Sequence, residues 1–262
     1  MGKVYNICNR GTAHRVTPKN MLMRVLFFLS VFFFAMSSCR FTGGKRVTGN
    51  GNMASENRNL SGFSGIEIAG PFDVYLSQGT EYSVRIEGDQ NLLEYVETEQ
   101  HGDILEIGSR DGFNIRPKKS MKVYITAPRI EELEVAGSGS IVSQTAFSSP
   151  GRLKMTIAGS GDISLGEVDA PEIQGEIAGS GSITVKGTTR LFQAEIAGSG
   201  EIHAFNLLSE TTDVEIAGSG DVEVFASKTL DVSIAGAGDV KYKGSPTVSQ
   251  SKAGSGSVRK VD

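Results

Sequence analysis

The stretch Glu215-Ile-Ala-Gly-Ser-Gly-Asp-Val222 contains a four-residue sequence, Ala-Gly-Ser-Gly, that recurs through the second half of the chain. Successive copies start 22, 20, 19, 20, 18 and 18 residues apart. The seven copies begin at Ala136, Ala158, Ala178, Ala197, Ala217, Ala235 (as Ala-Gly-Ala-Gly) and Ala253. A motif at a period of about 20 residues is typical of a solenoid in which each repeat forms one coil stacked on the last.

Two columns of mostly β-branched residues flank the motif when the repeats are aligned on their Ala. The residues before the Ala are Val135, Ile157, Ile177, Ile196, Ile216, Ile234 and Lys252. The fifth residues after it are Ile141, Ile163, Ile183, Ile202, Val222, Val240 and Val258. Their sequence neighbours are mostly polar, so the pattern alternates with period two as it does in half-buried strands. The sequence therefore predicts an all-β, single-stranded parallel β-helix with two inward ladders.

The glycines of the motif are predicted to form the corner between the two ladders, because Gly accepts the positive φ that such a corner requires. The Ser between them is expected to stack and to hydrogen-bond along the ladder. Lys252 replaces the inward Ile in the last repeat, which suits a cap that discourages edge pairing. The first glycines of the seven corners are Gly137, Gly159, Gly179, Gly198, Gly218, Gly236 and Gly254.

The N-terminal half carries a divergent copy of the same unit. Glu67-Ile-Ala-Gly-Pro-Phe-Asp-Val74 agrees with residues 215–222 at six of eight positions. Ala69 lies 67 residues before Ala136, a little over three periods. We therefore expect one solenoid of about ten coils over residues 63–262, with a repeat of about 20 residues.

The N-terminus has the features of an export signal. Residues 1–38 contain five basic residues, no acidic residue and a Phe-rich apolar run that is too short to span a membrane. Ser37-Ser38-Cys39 resembles a lipobox, which predicts a signal peptide over 1–38 with the true start possible at Met21 or Met23, and a lipid on Cys39. An ordinary secretory signal followed by a chance Cys is the alternative. Residues 39–62 are rich in Gly, Asn and Ser and predict a lipidated N-terminus with a flexible tether.

Charge narrows the range of partners. Removing five of the 26 basic residues leaves 21 against 30 acidic residues, a net charge of about minus nine. Such a surface disfavours nucleic acid and other polyanions as partners. The membrane, through the lipid anchor, and a cell-surface glycan or protein are the partners we expect.

A family resemblance covers residues 63 to 260. It rests on Phe63 through Ile66, Gly88-Asp-Gln-Asn91, Leu105-Glu-Ile107, Val123-Tyr-Ile-Thr-Ala-Pro128 and the Ala-Gly-Ser-Gly coils. These segments resemble the putative autotransporter-adhesin head GIN domain family, which is common in Bacteroidetes-type bacteria. The resemblance implies a right-handed β-helix in the cell envelope and carries no defined site residues.

Two features of the sequence bear on metal binding. The Gly-Ser-Gly-Asp turns resemble calcium-binding nonapeptides, but their period of 18 to 22 residues does not fit a nine-residue repeat. Glu201, Asp221 and Asp239 form an acidic column whose repulsion a divalent cation would relieve. Solvated surface carboxylates are the alternative and are preferred, so neither a metal nor a cofactor is expected.

The function predicted from these features is that of an envelope-anchored, non-enzymatic adhesin or structural β-helix lipoprotein at the outer membrane, on its periplasmic or outer side. The alternative is a carbohydrate-active lyase or hydrolase, which parallel β-helices also host. Basic and aromatic side chains near the acidic columns are sparse, Lys186 and Arg190 stand apart, and His203 is expected to face outward alone. A possible binding loop lies where the repeat is broken, at Phe113, Arg116, Lys118 and Lys119.

Overall fold

The computed structural model describes residues 44–262. The signal peptide predicted over residues 1–38, its alternative starts Met21 and Met23, and the lipid attachment at Cys39 lie outside the described residues. No helix within residues 44–262 has the length and apolar character needed to cross a membrane.

The first part of the described chain mixes parallel and antiparallel strands with one 3-10 helix, Gln90–Tyr95. Its strands are β1 (Lys45–Thr48), β2 (Met53–Arg58), β3 (Gly65–Ala69), β4 (Phe72–Gln78), β5 (Ser83–Asp89), β6 (Val96–His101), β7 (Ile104–Ser109), β8 (Phe113–Arg116) and β9 (Met121–Ala127).

The second part contains strands that pair in parallel with their neighbours in successive coils. They are β10 (Glu132–Gly137), β11 (Ser140–Ser143), β12 (Phe147–Ser148), β13 (Arg152–Gly159), β14 (Asp162–Gly179), β15 (Ser182–Gly198), β16 (Glu201–Ala204), β17 (Leu207–Gly218), β18 (Asp221–Ala226), β19 (Thr229–Gly236), β20 (Asp239–Gly244), β21 (Thr247–Gly254) and β22 (Ser257–Lys260).

Two parallel ladders, here named wall A and wall B, run the length of the solenoid. Wall A contains β7 and the strands that lead into the Ala-Gly corners, in the order β7, β3, β10, β13, β14, β15, β17, β19, β21. Wall B begins after each corner, in the order β9, β4, β11, β14, β15, β16, β18, β20, β22. A third, shorter ladder lies between them. In it Phe147 pairs with Val168, Val168 with Gly187, and Gly187 with Leu207 on successive strands.

The inward columns predicted from the sequence form the core. In wall A, Ile177, Ile196 and Ile216 pair in register and are each 2% exposed or less. In wall B, Ile183 and Ile202 pair in register and are fully buried. Each inward side chain therefore packs between equivalent side chains of the coils above and below, as parallel stacking of β-branched residues favours.

The two glycines of each corner are needed for different reasons. The first has a positive φ, as at Gly198 with 131°, which confirms the predicted corner. The second has no such φ, but a Cβ at Gly220 would lie 2.7 Å from the carbonyl oxygen of Gly200 in the preceding coil. The residue between them acts through its backbone: Ser219 N–H donates to the Gly198 carbonyl at 2.8 Å, and Ala237 N–H donates to Gly218 in the same way. A hydroxyl is therefore not required there, contrary to the expectation that the Ser side chain bonds along the ladder.

The solenoid has about six turns, so the predicted number of about ten was wrong. Ala69 pairs directly with Ala136, and no coils separate them. The 66 residues between these two positions fold at the N-terminal end of the ladders, where β7 extends wall A beyond β3 and β9 extends wall B beyond β4. Within them β5 runs antiparallel to β9, and β6 runs antiparallel to β7, so this part of the chain lies at one end of the ladders and inserts no coil between Ala69 and Ala136.

Residues predicted as flexible tether are partly ordered. Strand β1 pairs with β8, and β2 pairs antiparallel with β5. Asp89 holds the segment between β1 and β2 beside the segment that follows β8, because its carboxylate accepts the backbone N–H groups of Gly51 at 2.5 Å and Lys118 at 2.8 Å. The fully buried Asp89 is desolvated, which raises its pKa, but the hydrogen bonds from Lys118, Gly51 and Lys119 outweigh that effect and lower it.

The last coil differs from the others as the sequence predicted. Ile234 in wall A pairs with Lys252, whose side chain is exposed instead of entering the core. Gln250 likewise pairs with the buried Val232, and its own side chain is exposed. Polar and charged residues at inward positions of an edge strand discourage pairing with another chain.

Candidate functional site

Two tyrosines project from the outward surface of wall B near its N-terminal end. Tyr75 of β4 and Tyr124 of β9 occupy paired positions in neighbouring strands, and their inward neighbours Val74 and Val123 are fully buried. The two rings stack with centroids 5.2 Å apart and planes inclined by 19°. The in-register pairing therefore fixes both half-buried rings at about the spacing of the strands.

Cations hold one side of this stack. The Arg85 guanidinium lies 4.2 Å from the centre of the Tyr124 ring and also donates to Glu87 at 3.1 Å. The ammonium group of Lys122 lies 6.0 Å from the centre of the Tyr75 ring. Cation–π contact and the ion pair together restrict the side chains around Tyr124.

Short side chains continue the same outward column on the other side of Tyr75. Val142 of β11 pairs with Tyr75, and Ser164 and Thr184 follow on the next two coils. Val142 is 37% exposed. Because a Tyr side chain extends farther from the backbone than Val, Ser or Thr, the Tyr75 ring forms a step above this floor. We call Tyr75, Tyr124 and this floor the tyrosine ledge.

The outward column next to the ledge is polar. It contains Asp73, Ser140, Asp162 and Ser182 on four successive strands of wall B. The Ser140 hydroxyl donates to Asp73 at 3.1 Å, whereas Asp162 is exposed to solvent. The ledge therefore combines an aromatic wall with a floor of hydroxyl and carboxylate groups.

The floor ends at a charged network around His203. This histidine faces outward, as predicted, but the expectation that it stands alone was wrong. Its Nδ1 lies 3.1 Å from Glu223 and its Nε2 lies 3.1 Å from Glu201. Lys241 also contacts Glu223 at 3.1 Å, and the hydrogen bonds from His203 and Lys241 lower the pKa of Glu223 despite its desolvation.

The acidic column Glu201, Asp221 and Asp239 exists, since the three residues pair in register. Protein donors bind its carboxylates: Asp221 accepts the Asp239 N–H at 3.1 Å, and Asp239 accepts the N–H and hydroxyl of Ser257. The bonds from Ser257 lower the pKa of Asp239. Within residues 44–262, no group of three or more His, Cys, Asp or Glu side chains has an arrangement that would hold a metal ion.

A longer acidic column, the glutamate column, lies on the outward surface of wall A. Its members are Glu106, Glu67, Glu134, Glu176, Glu195 and Glu215, with Thr156 between Glu134 and Glu176. Partial burial, followed by the charges of Glu176 and Glu215, raises the pKa of Glu195. Burial together with neighbouring carboxylates raises the pKa of Glu67 and Glu134 in the same way. Sequence reasoning missed the full length of this column because it placed Glu67 three coils away from Glu134.

Contacts with the rest of the fold hold the predicted binding loop in place. Phe113 packs on Tyr95 with ring centroids 4.7 Å apart, and Lys118 and Lys119 give their N–H groups to Asp89. The side chains of Arg116, Lys118 and Lys119 remain exposed. The loop is thus held rigidly, and its use in binding stays a prediction.

A shallow groove of about 410 Å³ crosses the short ladder between walls A and B. It is lined by Ser148, Ser149, Asp169, Ala170, Pro171, Thr188, Thr189, Arg190 and Glu210. Thr188 donates to Asp169 at 3.0 Å, and Glu210 pairs with Lys228 at 2.7 Å. The groove does not favour an anion, because the carboxylates of Asp169 and Glu210 outnumber its one cationic lining residue, the exposed Arg190.

The tyrosine ledge has a signal in the sequence. Val74-Tyr-Leu76 and Val123-Tyr-Ile125 are equivalent alternating segments, and alternation alone directs both tyrosines outward. Their pairing was hidden because the sequence does not show that β9 returns to lie beside β4.

Comparison with known families and structures gives consistent results. Residues 62–246 match the family model described as putative auto-transporter adhesin, head GIN domain. A structure of a putative lipid binding protein from Parabacteroides distasonis is 30% identical, with a TM-score of 0.73 over 83% of this chain and 100% of the other. A putative adhesin from Bacteroides fragilis is 23% identical, with a TM-score of 0.76 over 82% of this chain and 100% of the other. No match to a curated protein was found.

Proposed function

Because the chain belongs to the putative auto-transporter adhesin head GIN domain family, we propose that it is an envelope-anchored, non-enzymatic binding protein whose solenoid is an adhesive head. The anchor in this proposal is a lipid on Cys39 in the outer membrane. The family and the structures of putative adhesins support a binding role at the surface or in the envelope.

The observation that carries the proposal is the pair of continuous nine-strand ladders. Outward side chains along walls A and B pair in register with those on the neighbouring strands. A solenoid of this kind presents an extended, rigid surface, which suits binding to a large partner. The rigidity also reduces the conformational entropy that binding would remove.

The proposal is tested in the native bacterium with the full-length chain. Cells fed a palmitate analogue should label the parent protein and not Cys39→Ser, and protease added to intact cells should cleave the parent head. Adherence of a deletion strain to a host-derived or bacterial glycan-coated surface should fall at least about tenfold, and complementation with the parent gene should restore it.

Three results would contradict the proposal. They are lipid labelling that persists in Cys39→Ser, complete protection of the head in intact cells, and unchanged adherence of the deletion strain. The complemented strain controls for effects of the deletion on neighbouring genes.

A further inference from the structure

We propose that the tyrosine ledge is a binding site for a neutral glycan, in which one pyranose ring packs against Tyr75 and the following sugars lie along the floor. This inference rests on the proposed adhesive function and adds the class of partner and its site. The feature that supports it is the step between Tyr75 and Val142, which pair on adjacent strands.

The Tyr75 ring provides the apolar part of the site. One face stacks on Tyr124, and Arg85 supports the far side of that ring at 4.2 Å. The other side of Tyr75 faces strand β11, where the Val142 side chain ends close to the backbone. The C–H groups on one face of a pyranose ring are complementary to an aromatic face of this kind.

The floor provides hydrogen-bonding groups for sugar hydroxyls. Ser164 and Thr184 lie beyond Val142 in one column, and Asp162 and Ser182 lie beside them in the other. Hydroxyls donate and accept, and an exposed carboxylate accepts strongly from a sugar O–H. The distance from Tyr75 to His203 spans four strand spacings, about 19 Å, which accommodates three to four sugar units.

Charge favours a neutral glycan over an acidic one. Asp73, Asp162 and Glu201 lie along the ledge, and a carboxylate or sulfate on the ligand would face all three. Of the two nearby cations, Arg85 pairs with Glu87 and contacts Tyr124, and Lys122 lies on β9 between the paired positions of Asp73 and Glu87, so carboxylates flank both. Like charges at these separations disfavour binding.

Two other ligand types fit the ledge less well. An extended peptide binds a sheet by adding a strand to a free edge, but β4, β11 and β14 each have strand partners on both sides. A lipid chain needs a large apolar surface, and among residues 44–262 the exposed large hydrophobic side chains are only Met53, Val142 and Leu208.

The test uses the full-length protein in detergent on an array of neutral, acidic and sulfated oligosaccharides, with albumin-coupled peptides as further probes. Tyr75→Ala removes the aromatic wall and Ser164→Arg fills the floor, so each should weaken binding of neutral glycans at least tenfold. Tyr75→Phe keeps the ring and should retain binding within about twofold. Ser233→Arg, on the outward surface of wall A, is the matched control and should bind as the parent does.

Thermal unfolding of each variant separates loss of binding from loss of fold. The inference is overturned if the folded parent binds only acidic glycans, only peptides or nothing, or if folded Tyr75→Ala and Ser164→Arg bind neutral glycans like the parent. If adherence depends on the protein but not on Tyr75 or Ser164, the adhesive function stands and the ledge assignment fails. If the deletion strain adheres normally, the adhesive function itself fails.

Discussion

Replacing Gly198 by Ala should destabilise the solenoid strongly. The backbone φ of 131° is a conformation that L side chains rarely adopt, which costs about 1–3 kcal/mol. The added Cβ would also overlap the carbonyl oxygen of Gly179 and lie 3.1 Å from its carbonyl carbon, so the coils would have to separate locally. We expect a total loss of about 2–4 kcal/mol in the free energy of unfolding.

Ser199→Ala is the matched control in the same corner. The Ser199 N–H donates to the Gly179 carbonyl at 2.8 Å, and alanine keeps this bond, as Ala237 does in its own corner. The stability should change by less than about 0.5 kcal/mol. Urea unfolding followed by circular dichroism measures both changes. A Gly198→Ala protein as stable as the parent, or an equal loss in Ser199→Ala, would refute the assignment of the motif to corner geometry.

The remaining predictions concern the core, the glutamate column and the N-terminal strands. Ile196→Asp should lower the free energy of unfolding by about 4 kcal/mol or more, because Ile196 is 2% exposed and an ionised carboxylate would be placed in the core; urea unfolding should show it, and a loss below about 1 kcal/mol would contradict the inward assignment. Glu195→Gln should stabilise the protein by about 0.5 kcal/mol at pH 7 to 8. The pKa of Glu195 is raised in the folded state, so its carboxylate destabilises the fold above that pKa, and this destabilisation disappears as the pH falls below the unfolded-state pKa of about 4.3. The stability gained by Glu195→Gln should therefore vanish below that pH in a series of unfolding curves. A gain in stability that grows at low pH would contradict this prediction. Ala69→Cys with Ala136→Cys should form a disulfide on oxidation, because paired parallel strands lie about 4.8 Å apart, whereas a separation of three coils would place the two positions about 14 Å apart; peptide mass spectrometry detects the bond, and its absence would favour the ten-coil arrangement.

The repeat region could be predicted from the sequence because its information is local and periodic. The period placed Ile196 and Ile202 in the core, and the glycines marked the corners. Seven in-register copies make such an inference robust, since an error at one coil is exposed by the others.

The N-terminal strands could not be predicted in the same way. The agreement of residues 67–74 with the repeat was real, but sequence separation does not give spatial separation when the chain makes an excursion. The pairing of β4 with β9 joins residues about 50 positions apart, and it alone brings Tyr75 and Tyr124 together. The network at His203 depended on which outward residues share a column, and those columns follow only from the register.

The proposed function and the proposed glycan site together require that this protein binds a glycan without transforming it. The most direct measurement incubates the purified full-length chain with the neutral oligosaccharides that it retains, and follows bound ligand and new reducing or unsaturated ends by mass spectrometry over a day. We predict that the ligand is recovered intact from the protein. Products that accumulate in proportion to protein concentration would contradict the claim and establish an enzyme instead.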